Sequence, residues 1–533
     1  MRSIRALQCG IILLSLVCTK GATAQAQQVS LDAPTIRVTS RLVFLDVTVL
    51  DKDGRPVVKG LTKDDFTITD NKKPQRIFSF EAPEIHVVDA DATDDNPAAK
   101  APVTIFVLDL LNSRFEDFAY IRYMVRRYLE AQPAQLNSPA ELMVLGNNSL
   151  EMVQGYTRSR KDLLYALDHV PPAVPYKEMT SNFGLERFGQ SIDALQQIAL
   201  QSRGVRGRKN IIWVGHGGPN IYTVSLQPSD VNVVQKYVHD TTNMLIDSRI
   251  SLFLIYPGLQ VNGPAKTVSE IDAGVDIGDD DPFSGDINFG VFVNETGGLF
   301  YKRNDIDTEI KQSEELGAQY YTLTYQPPEG DADGKFRRVR VTLRDPNLRV
   351  VTKAGYFSPD QNAVIGPRQQ MLVNLSEAAR SSIPFESLWI TIEHLVRHPD
   401  TGTAEFTILL GPRNVDWQST DSGKSNVDLL LAAVSLNKNR DFLASRLEEV
   451  PAIANNQDAI QLAKTEVRVP MKIRIPDKTQ SVRVVIETAG NGRTGAIELD
   501  RKTIDAAPTA STPEPQLIIR RRKLSSTESP PAP

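Results

Sequence analysis

Histidine is scarce here, six residues in 533, so each one beside glycine or a carboxylate is a candidate for catalysis or metal binding. His216 stands in Gly215-His216-Gly217-Gly218 after the apolar run Asn210 to Val214. A His-Gly-Gly loop can wrap backbone N–H groups around an oxyanion, but that chemistry needs a Gly-x-Ser-x-Gly nucleophile elbow, which the sequence lacks. His394 and His398, with Glu393, have the four-residue spacing of helical zinc ligands. Their segment alternates like a strand, where four residues span about 13 Å, too far for one ion. Gly490-Asn491-Gly492-Arg493-Thr494-Gly495 matches a dinucleotide fingerprint, yet a strand-like run, Ala496 to Asp500, follows where a helix is required. A hairpin turn is expected instead. The carboxylates Asp272, Asp276, Asp279, Asp280, Asp281 and Asp286 fit no calcium loop and read as a solvated acidic loop. Asp51-Lys52-Asp53-Gly54 and Asp331-Ala332-Asp333-Gly334 read as turns.

The elements that would hold these groups follow from periodicity. Residues 30–86 alternate apolar and polar side chains, as in Val43, Leu45, Val47 and Val49, and form an N-terminal β module. Residues 87–101, rich in Asp, Ala and Pro, are a linker. From 102 to 317 short apolar runs (Val103 to Leu108, Glu141 to Leu145, Asn210 to Val214, Ile250 to Tyr256, Leu299 to Tyr301) alternate with helical stretches near 115–128, 161–167, 185–202, 229–248 and 306–316. That alternation predicts an open, doubly wound α/β sheet with helices on both faces. Strands return at 318–358 and are expected to complete the N-terminal module, so that the α/β domain is an insertion in it. Residues 370–505 predict a C-terminal β-sandwich, and 506–533 a disordered tail around Arg520 to Lys523.

Composition narrows the function classes. A net charge of −5, from 60 basic and 65 acidic residues, argues against general nucleic-acid binding, which needs a basic face. Residues 1–24 read as a signal peptide: Arg2 and Arg5, an apolar stretch from Ala6 to Val17, and Ala22-Thr23-Ala24 before cleavage. Both cysteines, Cys9 and Cys18, lie within it. The mature chain is thus expected to be exported (periplasmic, cell-surface or secreted), without disulfides, thiolate metal sites or a cysteine nucleophile, and without a transmembrane segment.

The segments LVFLDVTVLDKDGRPVVKGLTKDDFTITDNKKPQRIFSF, VTIFVLDLLNS, GRKNIIWVG, ETGGLFYKRNDI and YYTLTYQPPEGDADGKFRRVRVTL, ending in AGYF, resemble in order the von Willebrand factor A-related (VWFA-related) domain proteins of the acidobacterial type. The resemblance covers about residues 36–358. It implies a von Willebrand A-like (Rossmann-like) doubly wound domain flanked by β-sandwich modules, with a metal-ion-dependent adhesion site at the carboxyl ends of its strands. That site would hold Mg²⁺ or another divalent cation by carboxylate and hydroxyl oxygens. Asp109 and Ser113 match its first strand and Thr180 its middle loop, but Leu111 replaces one serine, and Gly215-His216 stands where a further Asp is expected. The site is therefore degenerate. Asp109 either ligates a cation or hydrogen-bonds the following loop, and the second reading is favoured.

The reading these features support is an exported, non-enzymatic protein that binds an unidentified protein partner through a rim of Asp109, Asn112, Ser113, Thr180, Ser181, Asn182 and His216. An envelope or carbohydrate-binding β-sandwich protein is the alternative, tested by whether Trp389 and Trp417 are exposed. An α/β hydrolase is more remote.

Overall fold

The computed structural model describes residues 42–86, 102–147, 149–170, 183–205, 207–257, 286–302, 305–327, 333–358, 367–411, 417–419, 424–455, 466–489 and 492–510. The first strands are β1 (Val43–Leu50), β2 (Phe66–Asp70), β3 (Lys73–Gln75) and β4 (Ile77–Glu81). The α/β region runs β5 (Val103–Asp109), α1 (Phe115–Glu130), β6 (Gln135–Leu145), β7 (Leu150–Ser159), α2 (Arg160–Asp168), α3 (Gly184–Gln201), β8 (Lys209–Val214), α4 (Pro228–Asp247), β9 (Ile250–Ile255), α5 (Gly290–Thr296), β10 (Phe300–Tyr301) and α6 (Ile306–Ala318). Then come β11 (Tyr321–Tyr325), β12 (Phe336–Leu343), β13 (Arg349–Val351), β14 (Gly355–Phe357), α7 (Pro367–Arg380) and β15 (Phe385–Glu386). The chain continues with β16 (Ile390–His398), β17 (Thr403–Leu410), β18 (Gln418–Ser419), β19 (Lys424–Leu436), β20 (Phe442–Asn455), β21 (Val467–Arg474), β22 (Ser481–Thr488), β23 (Thr494–Asp500) and α8 (Arg501–Ala506).

Two compact units result: Met1–Ser387 with Ala489–Gly495, and Leu388–Thr488 with Ala496–Pro533. In the first, a six-stranded sheet has the order β10-β9-β8-β5-β6-β7. Its strands are parallel except β7, which returns antiparallel on β6. Strand residues alternate between faces. Phe106 and Leu108, Ile212 and Val214, and Phe253 and Ile255 share one core with Ile121 and Val125 of α1, Leu163 of α2 and Ile310 of α6. Ile105, Val107, Ile211, Trp213, Leu252 and Leu254 are buried on the other face, where α3, α4 and α5 pack on one another. The strand order reverses at β5, since β6 lies on one side of it and β8 on the other. In an open sheet, ligands bind outside the carboxyl ends of the strands at such a reversal.

Two four-stranded sheets, β13-β1-β11-β4 and β14-β12-β2-β3, make up the β part of this unit. Each interleaves strands from before and after the α/β region: Leu45 pairs with Leu323 and Ile68 with Val341. Their shared core includes Val47, Phe66, Tyr321, Leu323, Tyr325 and Val339, and reaches Ile246 at the end of α4. A buried polar joint fastens them to the α/β sheet. Arg249, next to β9, grips Asp46 of β1 with its guanidinium. Burial pushes the Asp46 carboxyl up, and Arg249, Arg208 and the Thr322 hydroxyl together outweigh it, holding the carboxyl below its ordinary value. Arg208 donates to Thr48 Oγ1 at 2.9 Å and lies over the Tyr320 ring.

The second unit contains the three-stranded sheet β16-β17-β21 and the run β23-β22-β19, with β20 on the far side of β19. Phe406, Ile408, Val469 and Met471 from one share a core with Leu429, Leu431, Val484 and Ile486 from the other, and Ile504 of α8 joins it. The helices α5 and α8 were not expected from the sequence, and three larger features differ as well. Residues 370–387, read as the start of the C-terminal module, belong to the first unit and carry a helix, α7. Strand β7 was not expected, because as a partly exposed edge strand it lacks clean alternation. Strand β20 was not expected either; its Glu448, Glu449 and Pro451 are typical of an edge strand but weaken a strand reading.

Candidate functional site at the strand-order reversal

Asp109 is the last residue of β5, and its carboxylate points into the gap beside β8. It is fully buried. Oδ1 accepts from the Asn112 backbone N–H at 2.9 Å and from Asn112 Nδ2 at 3.2 Å. Oδ2 accepts from Asn112 Nδ2 at 3.2 Å, Trp213 Nε1 at 3.1 Å and the Gly217 N–H at 3.0 Å. Burial raises the proton affinity of this carboxyl; the Asn112 backbone, Trp213 and Asn112 side-chain hydrogen bonds pull it back.

Glycine makes the approach possible. Gly215 has φ +154°, and a Cβ there would stand 2.3 Å from the Asp109 Cβ. Gly217, at φ +66°, leaves room for the Phe289 ring, which packs on Trp213 with centroids 4.8 Å apart. Asn112 reaches further: its Nδ2 donates to Ser191 Oγ of α3 at 3.0 Å, and its Oδ1 accepts from Arg187 Nη1 at 3.4 Å. Ser113 is buried, and its Oγ has no hydrogen-bond partner. His216 sits on the outer side, one quarter exposed, with Nε2 3.1 Å from Asp117 Oδ2 and its ring against Tyr256. On the loop after β8, Tyr222 and Val224 are exposed.

The structure thus brings Asp109, Asn112 and Ser113 together with the His216 loop. Thr180, Ser181 and Asn182 lie outside the described residues, as do Asp272 to Asp281. Among the described residues, no three His, Asp or Glu side chains gather in a way that would hold a metal ion. The favoured expectation for Asp109, hydrogen bonding to the next loop, matches the Asn112 contacts; the bonds to Trp213 and Gly217 were not foreseen. Trp213 was legible only in part: a buried indole usually finds an acceptor for its N–H, but nothing in the sequence says which. Ser191, Arg187, Asp117 and Tyr256 come from other elements, and no spacing links them to Asp109.

The other constellations resolve locally. His394 and His398 both lie on β16, His394 exposed at a bulge with φ +52° and His398 3.2 Å from Glu405. Gly492 and Arg493 lead directly into β23, so no helix follows the glycines. Asp51 Oδ1 accepts from the Asp53 and Arg55 N–H groups, closing a turn. Asp286 holds Thr223 by its N–H and hydroxyl. Among the described residues no helix is long and apolar enough to cross a membrane.

No family model matches the chain, and no curated protein matches it. Among solved structures, the chain is similar to the SpRpn10 VWA domain, at 17% identity over 30% of this chain and 76% of that one, with a TM-score of 0.19. It is also similar to a glycosyl hydrolase family 2 member from Bacteroides cellulosilyticus DSM 14838, at 13% identity over 34% of this chain and 20% of that one, with a TM-score of 0.15. TM-scores this low carry no argument about function, and the α/β unit rests on its own strand order and pairing.

Proposed function

We propose that this chain is an exported, non-enzymatic protein that binds a protein partner through the rim at the carboxyl ends of β5 and β8. In this reading the α/β region is a von Willebrand A-like domain whose adhesion site has replaced a metal ion by internal hydrogen bonds, and β-sandwich modules carry it. The observation that supports it is the Asp109 carboxylate: both oxygens are taken by Asn112, Trp213 and Gly217 donors, where a cation would need them free. The rim then offers a partner the half-buried His216–Asp117 pair and the exposed Tyr222 and Val224, with Asn112 buried beneath them.

Thermal unfolding of the mature protein with Mg²⁺, Mn²⁺ or Ca²⁺ tests the metal-free version. A cation that binds the folded state at 100 times its Kd adds about 2.7 kcal/mol. We expect no rise in Tm and partner affinity unchanged by EDTA. A rise that vanishes in Asp109→Ala would restore the cation-bridged adhesion site.

One observation favours the carbohydrate alternative. Trp389, in the second unit, is 50% exposed, as a stacking platform for a sugar would be. Trp417 instead packs against the core of that unit, which weakens this reading.

A further inference from the structure

Glu141 is the one carboxyl-bearing residue in the consecutively buried second half of β6, and it is fully buried on the sheet face that carries α3. Gln201 Nε2, from the last turn of α3, donates to its Oε2 at 3.1 Å. Its Oε1 has no aligned hydrogen bond, nor do Ser202 Oγ at the end of α3 and the Tyr156 hydroxyl of β7. The Tyr156 hydroxyl lies close enough to the other two to affect ionisation. The second acidic group nearby is Glu386 of β15, whose carboxylate takes the Tyr156 backbone N–H and fills the space beside Gly155. The charged or titratable groups acting on Glu141 are therefore Glu386 and Tyr156, and no Lys or Arg among the described residues offsets them.

We propose that Glu141 is a proton-operated latch: neutral, it lets the C-terminal turn of α3 stay packed against β6 and β7, and ionised, it forces that turn away. An ionised carboxylate in this position, with the neutral donors Gln201 and Tyr156 and no opposite charge beside it, must draw in water or push the neighbouring helix end away. The same helix holds the rim. Ser191 and Arg187 bond to Asn112, which bonds to Asp109. Ser191 and Gln201 are ten residues apart, about 15 Å along one continuous helix, so a shift at the latch reaches the rim as a movement of α3. Burial first, then the Glu386 charge, raises the carboxyl's proton affinity well above its ordinary value, against the pull of hydrogen bonds from Gln201 and Tyr156. The sign follows: the contribution to stability is full below the ordinary Glu range and is lost as pH rises through the folded-state value.

The pH regulation rests on the reading of the rim as the binding surface, but its test needs no partner. Amide exchange along α3 and the Trp213 Nε1–H NMR signal, recorded against pH on the wild-type chain and on Glu141→Gln, report the two ends of the helix. After correction for intrinsic exchange, wild-type opening of α3 should grow by up to about tenfold per pH unit between the ordinary Glu range and the folded-state value and level off above it, with the Trp213 signal shifting in step. Glu141→Gln should stay within about twofold. Equal pH dependence in both proteins overturns the latch, and so does a wild-type response confined to Gln201 that leaves Ser191 and Trp213 unmoved. Should Glu141→Gln not fold, Gln201→Met decides. Losing a donor to the charged form must move the transition to higher pH, and an unmoved transition overturns the proposal. A latch that fails here leaves the partner-binding reading standing, and a rim without a partner leaves the latch result intact.

Discussion

Replacing Asp109 by alanine strands the Trp213 indole N–H and the Asn112 and Gly217 backbone N–H groups inside the protein. Each orphaned buried donor costs about 1–3 kcal/mol, so Asp109→Ala should lose at least about 3 kcal/mol in urea denaturation. A loss under about 1 kcal/mol would mean that water replaces the carboxylate without penalty and that the rim is looser than its hydrogen bonds imply. Gly215 tests the same site from the opposite side. An added methyl meets the Asp109 Cβ at 2.3 Å and imposes a side chain on φ +154°. Gly215→Ala should therefore destabilise by more than about 2 kcal/mol and displace the Trp213 fluorescence, whereas an unchanged midpoint and spectrum would show that the loop can move aside.

Between elements, α1 and α6 meet through Tyr128, whose hydroxyl is bonded to Glu314. Burial pushes the Glu314 carboxyl up to about 7, against hydrogen bonds from Tyr128 and Thr104. A carboxyl raised in the folded state stabilises most below its unfolded value and ceases to do so as pH rises through the folded one. Stability measured by denaturant should therefore fall as pH climbs through about 7, and Glu314→Gln should remove that part of the slope. If the variant and wild-type curves stay parallel, the Tyr128–Glu314 contact does not titrate. This component is separate from Glu141, which touches α3 and not α6.

For the first unit as a whole, the controlling fact is that its β sheets are closed only after the α/β region has been made. In a chain ending at residue 319, β1 loses both neighbours, β11 and β13, and β2 loses β12. The core also loses Tyr321, Leu323, Tyr325, Val339 and Val341. Sheets reduced to the lone strands β1 and β4 and the two-stranded β2–β3 ribbon cannot retain an apolar core, so residues 43–81 of such a fragment should exchange amide protons as an unfolded chain does. Protection there would show that the first strands fold without the later ones. The full chain must therefore hold β1 and β2 until residues 321–343 arrive, a high-separation closure of the kind that slows folding.

The periodicity of Val103 to Leu108, Asn210 to Val214 and Ile250 to Tyr256 was enough to mark buried parallel strands, because strands covered on both faces have no polar alternation to confuse with a helix. The helices at 184–201 and 228–247 were legible within a residue or two for the corresponding reason. Edge strands such as β7 and β20 were not, since a half-exposed strand satisfies neither pattern. Asp109 could be singled out from its place after β5 and its likeness to a family motif. That its oxygens are filled by Trp213 and Gly217, 104 and 108 residues along the chain, was decided by the parallel pairing of β5 with β8, which sets the two strand ends side by side. Glu141 likewise looks like one acid in an apolar strand until the fold places Gln201, Ser202, Tyr156 and Glu386 around it. Sequence specifies which residues are buried because burial follows from local pattern; which buried polar groups meet depends on strand order, and that exists only in the folded chain.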